Sequence, residues 1–118
     1  MNNQSLVRPA EVKQLVDMLR YQDGSIVSSV LLKNQGGTVT LFAFDVGEGL
    51  SEHTAPFDAL VVVIDGEAEI QIAGDNFRVS QGETILLPAN RPHAVKAASR
   101  FKMLLIMIRA EYAAESAP

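Results

Sequence analysis

Turn-forming residues cut this chain into short apolar runs at nearly regular intervals, and that punctuation leaves room for little except β-structure. Gln22-Asp23-Gly24, Asn34-Gln35-Gly36-Gly37, Gly47-Glu48-Gly49, Asp65-Gly66, Gly74-Asp75-Asn76, Gln81-Gly82 and Pro88 are turn or stop signals. Between them, residues 25–33, 38–46, 57–64, 67–73, 77–80, 84–87, 93–98 and 101–109 read as strands. Glu67, Ala68, Glu69, Ile70, Gln71 and Ile72 alternate polar and apolar, the period of a half-buried strand. Short strands at regular turn spacing make a sandwich or barrel. No helix-period segment long enough for a parallel crossover lies between them, so an α/β sheet is disfavoured.

At 118 residues the chain has the length of one domain. Residues 25–110 hold the strands. Residues 1–24 form an extension expected to pack on the barrel or on a dimer partner. Pro9 is placed to open a short helix through Glu11 and Lys13. Residues 15–21 either continue it or begin a strand, and Asp23-Gly24 is a favoured hairpin pair. Residues 111–118 read as a frayed tail.

The net charge of −4, with lysines and arginines scattered, argues against a nucleic-acid or anionic-membrane partner, because no basic patch neutralises phosphates. With no cysteine there is neither a disulfide nor a thiolate metal site, which is compatible with the cytoplasm. The first residues lack the apolar core of a secretory signal. The apolar runs 59–64 and 103–108 are too short to span a bilayer. A cytoplasmic protein is expected.

Two glycine-bounded stretches carry the functional information: GEGLSEHTAPFDALVVVIDG, residues 47–66, and GETILLPANRPHAVKA, residues 82–97. They resemble the two motifs of the cupin superfamily, G-x5-H-x-H-x3-E-x6-G and G-x5-P-x-G-x2-H-x3-N. Gly47, His53 and Gly66 match the first motif; Gly82, Pro88 and His93 match the second. The resemblance is closest to the small stand-alone type-2, RmlC-like cupins. It implies an all-β double-stranded β-helix, or jelly-roll barrel, with a short N-terminal helix or extension. It also implies a metal tetrad of three histidines and a glutamate, of which this chain keeps only half. Ala55 and Ala59 stand where the family has a histidine and the glutamate; Asn90 and Ala97 replace the glycine and the asparagine. Asparagine tolerates a positive φ.

Side-chain parity gives the interior independently of the family, since residues two apart on a strand share a face. His53, Ala55, Ala59, Val61 and Val63 share one parity, and His93, Val95 and Ala97 share another on a neighbouring strand. These eight residues are the expected ligand pocket, an apolar cup closed by the only two histidines in the chain. His53 and His93 are the candidate acid/base pair and the weak candidate metal ligands. Iron, manganese, zinc or nickel would need a third donor, for which Asp58 or Glu52 is the candidate, although the parity of Asp58 points outward. Glu48 and Glu52 lie in the loop before His53. Gly47-x-Gly49 lacks the third glycine and helix of a dinucleotide site, and no serine sits in a nucleophile elbow. Met103 and Met107, with Phe101 and Leu105, belong to the core or form a pliable wall of the pocket.

Three functional readings follow. The leading one is a small-molecule-binding protein with its site at the barrel mouth. The second is an enzyme of dioxygenase, isomerase or lyase type acting on a small carbonyl, sugar or aromatic substrate, through a metal or through histidine acid/base chemistry. The third is an interaction module with a vestigial pocket. The runs 60–64 and 103–108 are apolar on both faces, so something covers their outer side. Either the extension or a second subunit does so, and a homodimer packed through β-sheet faces is expected.

Overall fold

The computed structural model describes residues 6–110, which form two antiparallel sheets facing each other across one core. In chain order the strands are β1 (Ile26–Asn34), β2 (Gly37–Phe44), β3 (Gly49–His53), β4 (Phe57–Ile72), β5 (Asp75–Ser80), β6 (Thr84–Leu87), β7 (His93–Lys96) and β8 (Phe101–Arg109). Sheet A runs β1-β2-β8-β4-β6 and sheet B runs β5-β4-β7-β3. Strand β4 belongs to both: its first half pairs with β8 and β6, its second with β5 and β7. The turn spacing predicts a sandwich or barrel, and the strands close as the jelly roll that the cupin resemblance implies.

Asp65-Gly66 is not a turn between two strands, as the dipeptide suggests, but lies just past a bulge at Ile64 inside one 16-residue strand. The register with β8 slips between Val63 and Asp65. Before the slip the buried residues are Ala59, Val61 and Val63; after it they are Ala68 and Ile70. The buried parity therefore changes from odd to even, and both halves present an apolar face to the same core. Gly66 takes φ +73°, and a Cβ there would collide with the Arg100 carbonyl oxygen. Its own carbonyl accepts from the Gln81 amide at 3.0 Å, so the bend is stitched on both sides.

The core is built of Phe44, Val61, Val63, Ile70, Phe101 and Met103 with smaller neighbours. The rings of Phe44 and Phe101 stack with centroids 4.5 Å apart, an arrangement worth about 1 kcal/mol beyond the area it buries.

Helix at Pro9 does not form: the only helical segment among the described residues is one 3-10 turn, Leu15–Asp17. Residues 18–22 make no strand, so Asp23-Gly24 turns the chain without closing a hairpin. This stretch is fastened to the outer face of sheet A. Lys102 Nζ donates to the Val16 carbonyl at 2.6 Å, and Tyr21 Oη donates to Asp65 at 2.6 Å. Burial and that bond to Asp65 push the Tyr21 phenol well above its ordinary range. Arg100 bridges Asp23 and Asp45 at 2.7 and 2.8 Å. The Arg100 bond, together with backbone amides, holds the Asp45 carboxyl down at about 2. Leu41 and Ala43, on this outer face, are fully buried although they lie outside the core cluster. The tail at 111–118 lies outside the described residues.

Replacing Gly66 by alanine forces a Cβ into the Arg100 carbonyl at a positive φ. We expect Gly66→Ala to lower unfolding free energy by more than about 1 kcal/mol in urea titration, whereas Gly82→Ala, with open space around its Cβ position, costs less.

Candidate functional site

His53 ends β3 and His93 begins β7, and the two are direct register partners. Leu50 and Val95, the next inward pair, are also partners. Leu50 and His53 are three positions apart, which in a regular strand would put them on opposite faces. The register shift between them, at Ser51 and Glu52, supplies the extra residue that re-aims His53 to the inner side. On the other strand no correction is needed, because His93 and Val95 already share a face.

The loops around the pair are held by backbone bonds. The Asn90 amide donates to the Ala55 carbonyl at 2.8 Å, tying the turn before His93 to the loop after His53. Asn90 sits at φ +64°, the conformation for which the family pattern has glycine. Asp58 Oδ1 accepts the Ala89 amide at 3.0 Å and braces the same turn. Before β3, the Gly47 amide donates to the Ala97 carbonyl at 2.8 Å and the Ala97 amide donates to the Glu48 carbonyl at 2.9 Å, tying the turn to the end of β7.

The imidazoles meet edge to face, with centroids 4.4 Å apart and planes at 68°. His53 Nδ1 lies 2.8 Å from the Ser51 carbonyl and His93 Nδ1 lies 3.2 Å from the Arg91 carbonyl. A carbonyl only accepts, so each Nδ1 carries the hydrogen. In each neutral ring the lone pair is therefore on Nε2. His93 is only 8% exposed, whereas His53 is open to solvent. Burial lowers the His93 pKa below its ordinary value, against the bond to Arg91, and the neighbouring His53 adds to the lowering.

Beneath the pair is a cavity of about 50 Å³, lined by Leu50, His53, Ala55, Ala59, Val61, Leu87, His93, Val95, Met103, Leu105 and Met107. The two histidines supply its only polar side chains. Of the eight residues expected from parity, six line it. Val63 and Ala97 do not: they are buried below it in the core, beyond the reach of the mouth. Leu50 escapes the parity argument because its strand is masked by glycines and a bulge. Leu87 and Leu105 come from sheet A strands that curve over the site. Met103 and Met107 are at once core and cavity wall.

The donor set does not suit a tightly held metal. Two imidazole nitrogens fall short of three protein ligands. Among the described residues no group of three His, Asp, Glu or Cys side chains is placed to hold an ion. Asp58 is engaged with Ala89, and Glu52 is exposed on the bulge. Glu48 likewise belongs to the β3 edge and does not line the cavity.

The pattern that identifies this arrangement is the cupin domain, whose family profile matches residues 40–109. The chain belongs to the cupin family. It is similar to a conserved protein of unknown function from Streptococcus pyogenes, 33% identical, covering 92% of this chain and 96% of that one, with a TM-score of 0.85. A cupin 2 conserved barrel domain protein from Leptotrichia buccalis is 44% identical over 80% of this chain and 46% of its own, with a TM-score of 0.78. An uncharacterized protein from Aquifex aeolicus is 21% identical over 109 residues, 91% of this chain and 90% of that one.

Because the folded protein keeps His93 neutral more strongly than the unfolded chain does, this group leaves stability unchanged above its unfolded pKa of about 6.5. Stability is then lost as the pH falls from there through the lower folded value. In an NMR titration we expect the His93 ring to protonate below the ordinary histidine range, and His93→Gln to flatten the loss of stability just below pH 6.5.

Proposed function

We propose that the protein binds a small molecule in the His53–His93 cavity, apolar body inward and a hydrogen-bond donor outward. The observation that carries this is the pair of contacts from Nδ1 of His53 and His93 to the Ser51 and Arg91 carbonyls. Both Nδ1 hydrogens are committed to carbonyls, so an otherwise apolar cavity offers an arriving molecule two Nε2 lone pairs. An apolar recess with a few convergent polar groups is the usual build of a ligand site. The fitting ligand carries an acid, hydroxyl or amine proton for an imidazole to accept, and Ala59, Val61, Leu105 and Met107 receive its apolar part.

Size narrows the class. About 50 Å³ holds a few water molecules, far below the roughly 300 Å³ of sites for drug-sized ligands. The ligand therefore has only a few heavy atoms inside the cavity, with Met103 and Met107 the side chains best able to yield to a larger one.

A second reading, an acid/base enzyme, draws on the contact between the rings. Burial holds His93 neutral, the state in which its ring can act as a base, and His53 stands in contact with it. Binding comes first in both readings. Two protein donors make any iron, manganese, zinc or nickel bound here weakly held.

Ligand-observed NMR with a set of small acids, alcohols and amines tests the proposal. We expect hits among molecules of a few heavy atoms, with Ala59→Val, which fills the cavity, and His93→Ala, which removes an acceptor, each weakening them at least about tenfold, some 1.4 kcal/mol. Hits that survive both substitutions contradict it. Turnover that fails in His93→Gln while binding persists favours the enzyme.

A further inference from the structure

The inner face of sheet A does not end at the cavity. Cross-strand partners share a face. Leu87, Ala59 and Met107, which line the cavity, therefore continue in register to Thr38 and then to Lys33. Strands lie about 4.8 Å apart, which puts Thr38 about 10 Å and Lys33 about 14 Å from Ala59 along this row. Met107 stands between the cavity and Thr38.

Thr38 is the residue in the row with an unmet bond. Its hydroxyl oxygen is shut off from solvent and has no hydrogen-bond partner among the described residues. Burying a hydroxyl unpaired is unfavourable, and valine would give the same shape without it. One strand further on, Lys33 is exposed and makes no ion pair among the described residues. None of the five residues in the row is acidic, so the row itself holds no carboxylate for the hydroxyl or the ammonium. A hydroxyl donor followed by a single ammonium matches an acceptor group with one negative charge, which a carboxylate is. Met107 is half-buried, unbranched and pliable, so it is the side chain able to move aside between the cavity and this pair.

We infer that the ligand of the His53–His93 cavity has two polar ends: a hydroxyl that donates to an imidazole, and a carboxylate that passes Met107 to reach the Thr38 hydroxyl, with the Lys33 ammonium beyond it. The class is a hydroxycarboxylic acid with a hydrocarbon middle. Only its hydroxyl end occupies the small cavity; the middle lies along Met107. Thr38 and Lys33 are then the residues that set ligand length and charge. This rests on the ligand-binding reading of the cavity and adds the second anchor to it.

Two homologous series test it by ligand-observed NMR titration: ω-hydroxycarboxylic acids of increasing chain length, and the matching alcohols without the carboxylate. The alcohols report on the cavity alone. We expect the acids to bind at least about tenfold tighter than their alcohols once the chain can span about 10 Å, and shorter acids to gain nothing. In Thr38→Val that advantage is expected to disappear, and in the exposed Lys33→Gln to fall at least about threefold. Thr38→Val is also expected to unfold at a temperature no lower than the native chain, because it removes a hydroxyl that has no partner. Alcohols that bind while the long acids gain nothing overturn the second anchor and leave the cavity reading standing. An advantage that survives either substitution, or a lower unfolding temperature for Thr38→Val, overturns it too. No binding by either series overturns both.

Discussion

The phase change inside β4 is the constraint on which the rest of the structure depends. One strand must serve two sheets, and a strand that crosses from one to the other without an extra residue would turn its apolar side chains outward halfway along. The bulge at Ile64 moves the buried parity from Val61 and Val63 to Ala68 and Ile70. Only then can sheet A and sheet B close on the Phe44–Phe101 stack. The site inherits its position from that closure, because β7 pairs with the second half of β4 and carries His93 over the wall formed by the first half.

A second bulge, in β3, does for the site what the first does for the core. Without it His53 would point to the outer side of its sheet and His93 would stand alone at the cavity. With it the two rings touch, each fixed by a carbonyl two residues upstream, and each neutral ring keeps Nε2 unprotonated. The family's metal tetrad is replaced by two imidazoles above Ala55 and Ala59. The chemistry left is that of hydrogen-bond acceptance and proton exchange, in a space of a few atoms.

Much of this was legible in the residues. Strands β2, β6 and β8 follow from turn spacing and β-branched content, because nothing interrupts their period, and β1 follows from the same signals although its register slips between Val30 and Leu32. What stayed hidden is what bulges hide. Asp65-Gly66 carries the composition of a hairpin turn but occupies a bend within one strand, where Ile64 is the inserted residue and Gly66 takes its positive φ while still paired with Phe101. β3 is short, largely exposed and bulged, so no alternation betrays it. Parity put Ala59, Val61, Val95 and both histidines on the cavity wall, but parity holds no depth. Val63 and Ala97 share the face and lie beneath the floor, while Leu87 and Leu105 reach the cavity only through the curvature of sheet A.

The central claim is that the paired rings present two Nε2 acceptors to a molecule in the cavity. Long-range ¹H–¹⁵N NMR of the two histidines, recorded above pH 7 with and without acetic acid homologues or small alcohols, reads it most directly. The account predicts the Nδ1–H tautomer for both rings in the free protein, and movement of the Nε2 resonances of His53 and His93 on addition of a ligand. An Nε2–H tautomer at either position, or bound ligand that leaves both Nε2 resonances unmoved, would contradict it.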